Sequence, residues 1–204
     1  MGKEVAVPVK VISDELKSSS EKFNDVDEGR WYTEYVDYAI SYGLFNGVTD
    51  NTFEPGGDMN RAMFVQVLAN ISGVECDKNA NSGFSDVPAG KWYTGAVAWA
   101  AENKIVNGVS EIEFAPTRSV TREQMCTMLV RYADHLGIPF EKASNYMLFA
   151  DDSKISNYAK DAVYACREAG IIDGIGNNYF APKDTATRAQ VAKILSVFYD
   201  TVIS

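Results

Sequence analysis

Histidine and cysteine are scarce in this 204-residue chain: His135 stands alone, and Cys76, Cys126 and Cys166 are odd in number and far apart. No C-x-x-C pair and no neighbouring His and Cys occur, which excludes the common zinc-site spacings. Cys126 and Cys166 fall inside apolar helical patterns and read as buried, inert thiols. His135 falls in the last turn of an expected helix, where a partly cationic ring favours the negative end of the dipole. There is no G-x-S-x-G, no H-E-x-x-H and no phosphate-cradling glycine loop, so no catalytic constellation can be assembled. Asp25, Asp27 and Gly29 fall short of a calcium loop, because Arg30 and Val36 occupy the positions that need Gly and Glu. The chain therefore reads as non-catalytic, without cofactor or metal.

Basic runs are also missing. Lys and Arg total 19 against 28 Asp and Glu, a formal charge of −9, which argues against binding nucleic acid through clustered cations. Apolar stretches are only a few residues long, far below the roughly 20 needed to cross a bilayer. Residues 1–22 lack the apolar core of a signal peptide and read as a leader or boundary segment. With 46% hydrophobic and 12% aromatic residues, the rest can bury a substantial core.

What the chain does contain is a unit repeated three times. Phe23-Asn24-Asp25-Val26, Phe84-Ser85-Asp86-Val87 and Phe149-Ala150-Asp151-Asp152 open the copies. An aromatic site follows each: Trp31-Tyr32, Trp92-Tyr93 and, by alignment, Asn157-Tyr158. Next come Asn46-Gly47, Asn107-Gly108 and Asp173-Gly174, then Phe53-Glu54-Pro55, Phe114-Ala115-Pro116 and Phe180-Ala181-Pro182. Each copy closes on an Arg motif: Asn60-Arg61-Ala62-Met63, Thr121-Arg122-Glu123-Gln124 and Thr187-Arg188-Ala189-Gln190. The copies span residues 23–83, 84–148 and 149–204. The third carries one extra residue, placed near 157–161, which sets Asn157 where the others have Trp.

Local patterning reads as helix, loop, helix. Tyr32, Tyr35, Val36, Ala39 and Ile40 lie at helical spacing, as do Tyr93, Ala96, Val97 and Ala100. Gly43 and Gly170 close such helices. A second helix starts at each Arg motif, with apolar stripes Phe64, Val67, Leu68, Ile71; Met125, Met128, Leu129, Tyr132; and Val191, Ile194, Leu195, Phe198. Thr121 with Gln124, and Thr187 with Gln190, form capping boxes. Arg61, Arg122 and Arg188 have no such local reason, since a first-turn Arg opposes the helix dipole. They read as packing salt bridges or ligand contacts. A single hairpin cannot close a core, so the copies must pack on one another.

These residues resemble the S-layer homology family, whose repeats open with Phe-x-Asp-Val, pass through Trp-Tyr and an Asn-Gly turn, and close with Thr-Arg-Ala-Glu. The resemblance covers about Phe23 to Ser204. It implies a mainly α fold: three helix-loop-helix repeats in a pseudo-threefold, monomeric unit, with three long helices at the centre and grooves between lobes. It further implies a non-catalytic module in the cell wall or S-layer of a bacterium, outside the membrane, bound to a secondary cell-wall polysaccharide, often pyruvylated. The alternative is a protein-interaction module for array assembly.

By this resemblance the carbohydrate-binding candidates are Arg122, Arg188, Arg61, Asp25, Asp86, Asp151, Trp31, Trp92, Gly47, Gly108 and Gly174. A guanidinium can grip a ketal carboxylate through two parallel bonds. Carboxylates accept from sugar hydroxyls, an indole covers a pyranose face, and Gly bares the backbone. The aspartates have capping a turn as their competing role, and the tryptophans have core packing. Arg122 leads, in the most complete copy; its replacement by Ala is expected to weaken binding with little change in melting. Residues 23–83 carry a net −7, and residues 84–148 and 149–204 carry −1 each. A groove dominated by the first copy, taken to be the one holding Arg61, is therefore expected to bind an anion least well.

Overall fold

A computed structural model describes residues 18–140 and 147–203; most of the expected leader, residues 1–17, lies outside them. The described elements are helical: α1 (Ser19–Lys22), α2 (Thr33–Ser41), α3 (Arg61–Ile71), α4 (Thr94–Glu102), α5 (Arg122–His135), α6 (Lys160–Glu168) and α7 (Arg188–Phe198). A 3₁₀ turn covers Asp152–Lys154 and a π-helical turn covers Tyr199–Ile203. The mainly α reading holds, and it holds for the reasons the pattern gave.

Each apolar stripe expected on the second helices is buried along its whole length. Asn60, Thr121 and Thr187 sit in extended backbone before α3, α5 and α7, and each side chain accepts from the third amide of its helix. In α5 and α7 the Gln side chain returns the bond, completing the box. Gly43 and Gly170 adopt φ of 67° and 69° just past α2 and α6, conformations a side chain would strain. Cys126 and Cys166 are buried, and His135 is the last residue of α5.

The copies interlock instead of standing side by side. The main helix pairs are α3 with α4, α5 with α6, and α7 with α2, so each pair joins the second helix of one copy to the first helix of the next. The third pair brings the last copy back to the first and closes a ring.

The starts of α3, α5 and α7 meet in a cycle of short bridges: Asn60 with Ser119, Thr121 with Thr185, and Thr187 with Asp58. Their far ends meet through the Ser72 and Tyr132 hydroxyls, 2.8 Å apart, and through Tyr132 stacked on Phe198. Contacts at both ends make these three helices the centre of the unit.

The closure also satisfies the helix starts. The first two amides of α3 donate to Arg118 and Pro116, those of α5 to Asp184 and Pro182, and those of α7 to Gly57 and Pro55. Amides that a helix cannot satisfy internally are thus satisfied by the loop of the neighbouring copy.

Candidate functional site

Arg61, Arg122 and Arg188 follow those N-caps, and their side chains leave their own copy. Arg61 donates from Nε to the Phe114 carbonyl at 2.8 Å and from Nη2 to the Asn107 carbonyl at 3.1 Å. Arg122 reaches the Phe180 and Asp173 carbonyls at 2.8 and 2.7 Å. Arg188 closes the cycle on the Phe53 and Asn46 carbonyls at 2.6 and 2.8 Å. Each guanidinium also covers the ring of the Phe it bonds, 4.5–5.0 Å from the centroid.

All three are buried, at 2%, 7% and 5% exposure. Burial pulls their pKa values down, to about 10 for Arg61, where the nearby Arg118 charge adds to the effect. The packing role is therefore real, but its acceptors are backbone carbonyls. Among the described residues none of the three forms a salt bridge. The expectation that Arg122→Ala would leave melting unchanged does not survive this burial.

The aspartates hold the loops that the arginines grip. Asp25 accepts from the amides of Phe53 and Glu54, Asp86 from Phe114 and Ala115, and Asp151 from Phe180 and Ala181, at 2.7–2.9 Å. Glu54, Ala115 and Ala181 have φ of 56–58°, a left-handed conformation that costs a residue with a side chain about 1–2 kcal/mol. Carboxylate bonds on both flanking amides offset that cost. The turn capped lies about 28 residues downstream, a partner that local sequence does not reveal.

Gly47 and Gly108 line grooves, and both are required by their own loops. A Cβ would lie 2.3 Å from the Thr49 carbonyl oxygen at Gly47 and 2.2 Å from that of Ser110 at Gly108. Gly174 is crowded in the same way by Tyr179.

The aromatic positions point outward. Trp31 and Trp92 are each 57% exposed, which removes them from the core. In the third copy the equivalent is Tyr158, 58% exposed and two residues before its helix, as Trp31 and Trp92 are before theirs. This corrects the alignment on Asn157. The extra residue lies before Tyr158, in the stretch containing the 3₁₀ turn, where Asp152 pairs with Lys160 and accepts from Tyr164. The aromatic platform is thus present in every copy.

Two grooves carry these features together. One, of about 390 Å³, lies along α5 and the 107–109 loop, with Arg61 from the first copy at its base and Tyr158 from the third at its rim. The other, of about 360 Å³, lies along α3 and the 45–48 loop, with Arg188 at its base and Trp92 at its rim. Both volumes fall within the roughly 300–1,000 Å³ of small-molecule sites. Arg61 therefore serves the groove built mainly by the second copy, not the first.

Arg118 and Arg131 also line the first of these grooves and were missed by sequence reading, because they do not recur between copies. Glu123 was missed as well. It is buried and accepts from the Ser156 amide and hydroxyl, the Tyr158 hydroxyl and Lys183, which fixes Tyr158 in place. Burial raises its pKa, but the bonds from Lys183 and Ser156 outweigh that and leave it below the usual carboxylate range.

A ring of three interlocked helical repeats, with an Arg clamp at every junction, defines a tandem-repeat module. The S-layer homology domain model matches residues 22–63, 83–126 and 148–192, and the chain belongs to this family. It is 32% identical over 173 residues to an amylopullulanase of Thermoanaerobacterium thermosulfurigenes, covering 85% of this chain and 9% of that protein. It is 33% identical over 173 residues to the exoglucanase XynX of Acetivibrio thermocellus, covering 85% of this chain and 16% of that protein. The S-layer protein sap of Bacillus anthracis is 26% identical over 182 residues, covering 89% of this chain and 22% of that protein.

The chain thus spans about a tenth to a fifth of these relatives. S-layer homology domains are non-catalytic modules that bind cell-wall polymers and anchor proteins to the bacterial cell surface, and that is where this chain belongs. No described helix is long and apolar enough to cross a membrane.

Proposed function

We propose that the chain anchors the protein that carries it to an acidic, pyruvylated secondary cell-wall polysaccharide, bound in the grooves between repeats. The observation that carries this reading is the pairing, in each of the two grooves, of a buried inter-repeat Arg at the base with an exposed aromatic ring at the rim. An exposed ring covers the apolar face of a pyranose. Asn107, Gln124 and Thr127 offer amide and hydroxyl partners to its hydroxyl groups.

One chain is the working unit in this reading. Each copy grips the next and the third grips the first, so the same surface is not left open at an end for another molecule. Engagement of several grooves along one polymer raises apparent affinity without further contacts.

The test is retention on purified cell-wall sacculi. Binding should survive protease treatment of the wall and disappear when its polysaccharide is stripped. The reverse pattern would replace the anchor by a protein-interaction module for array assembly.

A further inference from the structure

The two grooves share a frame but differ in charge. The Arg61 groove is lined by Arg118 and Arg131, together with Gln124, Thr127, Asn107 and Tyr158. At the matching positions of the Arg188 groove, counted from the Arg that opens each central helix, stand Gly57 and Asn70. That groove is instead lined by Phe45, Val48, Met59, Met63, Val67 and Trp92. At the third junction the matching residues are Asp184 and Val197. The frame repeats, and these lining residues do not.

Arg118 is exposed, Arg131 is half-buried, and among the described residues neither forms an ion pair. The Arg118 charge also acts on the buried Arg61, whereas Asp184 acts on Arg122, and Glu54 and Asp25 act on Arg188. At the other two junctions nearby carboxylates compensate the clamp. At the Arg61 junction Asp86 is opposed by a second cation, and an arriving anion would relieve that crowding.

Resting on the anchoring reading above, we propose that the Arg61 groove reads the negative charge of the polymer through Arg118 and Arg131, while the Arg188 groove takes an uncharged, partly apolar sugar of the same polymer. A guanidinium pair suits a carboxylate, which it can meet with parallel N–H bonds. The apolar groove offers Asn46, Gln66 and Asn70 as its polar contacts beside the clamp, which suits a sugar with a neutral substituent. The polymer recognised would then carry both kinds of residue within reach of neighbouring grooves. The ranking from charge is kept, but the first-copy groove to which it applies is the one holding Arg188, not the one holding Arg61.

The probes are a methyl hexoside bearing a pyruvyl ketal and its uncharged methyl ester, titrated by NMR into the whole chain. The acid should shift the Gly108 and Val109 amides and bind at least tenfold more tightly than the ester. Arg118→Gln with Arg131→Gln should reduce acid binding to the level of the ester, while Lys22→Gln with Lys78→Gln, an equal charge change outside both grooves, should not.

Undiminished acid affinity in the double variant, equal binding of acid and ester, or acid-induced shifts confined to Gly47 and Val48 would overturn the proposal. Retention of the wild-type chain on sacculi, measured in parallel, separates the two readings. If retention persists while the charge test fails, the groove assignment falls and the anchor stands; if retention is absent, both fall.

Discussion

A guanidinium in the first turn of a helix faces the positive end of the dipole, so Arg61, Arg122 and Arg188 are locally unfavourable choices. Two carbonyls and a Phe ring of the next copy reverse that balance. A hydrogen bond with a charged partner contributes about 1.5–3 kcal/mol, and a carbonyl left buried without its donor adds a further cost. Arg122→Ala should therefore lower stability by about 3 kcal/mol in urea denaturation, and an unchanged midpoint would refute the clamp. Loss of wall binding in that variant would mix folding with contact, which makes Arg118 the cleaner probe of recognition. The recurrence of the arginines was visible in the sequence, but their partners were not. Arg122 bonds residues 58 and 51 positions away, and no local pattern encodes such a pairing. Tyr158 was hidden for a different reason: a single extra residue ahead of it moved the alignment onto Asn157.

At the level of helices, the apolar stripes and caps were legible because both depend on residues three and four apart. Which helix pairs with which was not, since the partner of each central helix belongs to another copy. Glu123 shows how one such junction is strengthened. The first and third copies have Ala62 and Ala189 at this position, whereas Glu123 of α5 ties Ser156, Tyr158 and Lys183 of the third copy to the second. Its folded pKa lies below the unfolded value. The stability it contributes is therefore present above the usual carboxylate range and is lost as pH falls through the folded value. Glu123→Gln should flatten the dependence of melting temperature on pH between about 2 and 5 relative to wild type. Parallel curves for the two proteins would show that the junction owes nothing to this carboxylate.

For the whole molecule, three copies joined head to tail make one cooperative unit. Each copy supplies a clamp to the next and receives one from the previous, so ending the chain after residue 148 leaves Arg122 without its carbonyls and the Phe53 loop without Arg188. That truncation should show no cooperative transition by circular dichroism, while the intact chain unfolds in one. A stable two-copy fragment would refute the ring. That the copies pack together was legible from the three-copy pattern; that the packing is cyclic rests on α7 meeting α2, a contact across nearly the full sequence. The same contact fixes where the described chain enters and leaves. The Ser19 amide donates to Asp37 and the Tyr38 hydroxyl donates to Asp200, so both ends rest on consecutive residues of α2. The two ends of the described chain are thus tied to the α2 and α7 junction that closes the ring, so loosening that junction would release both together.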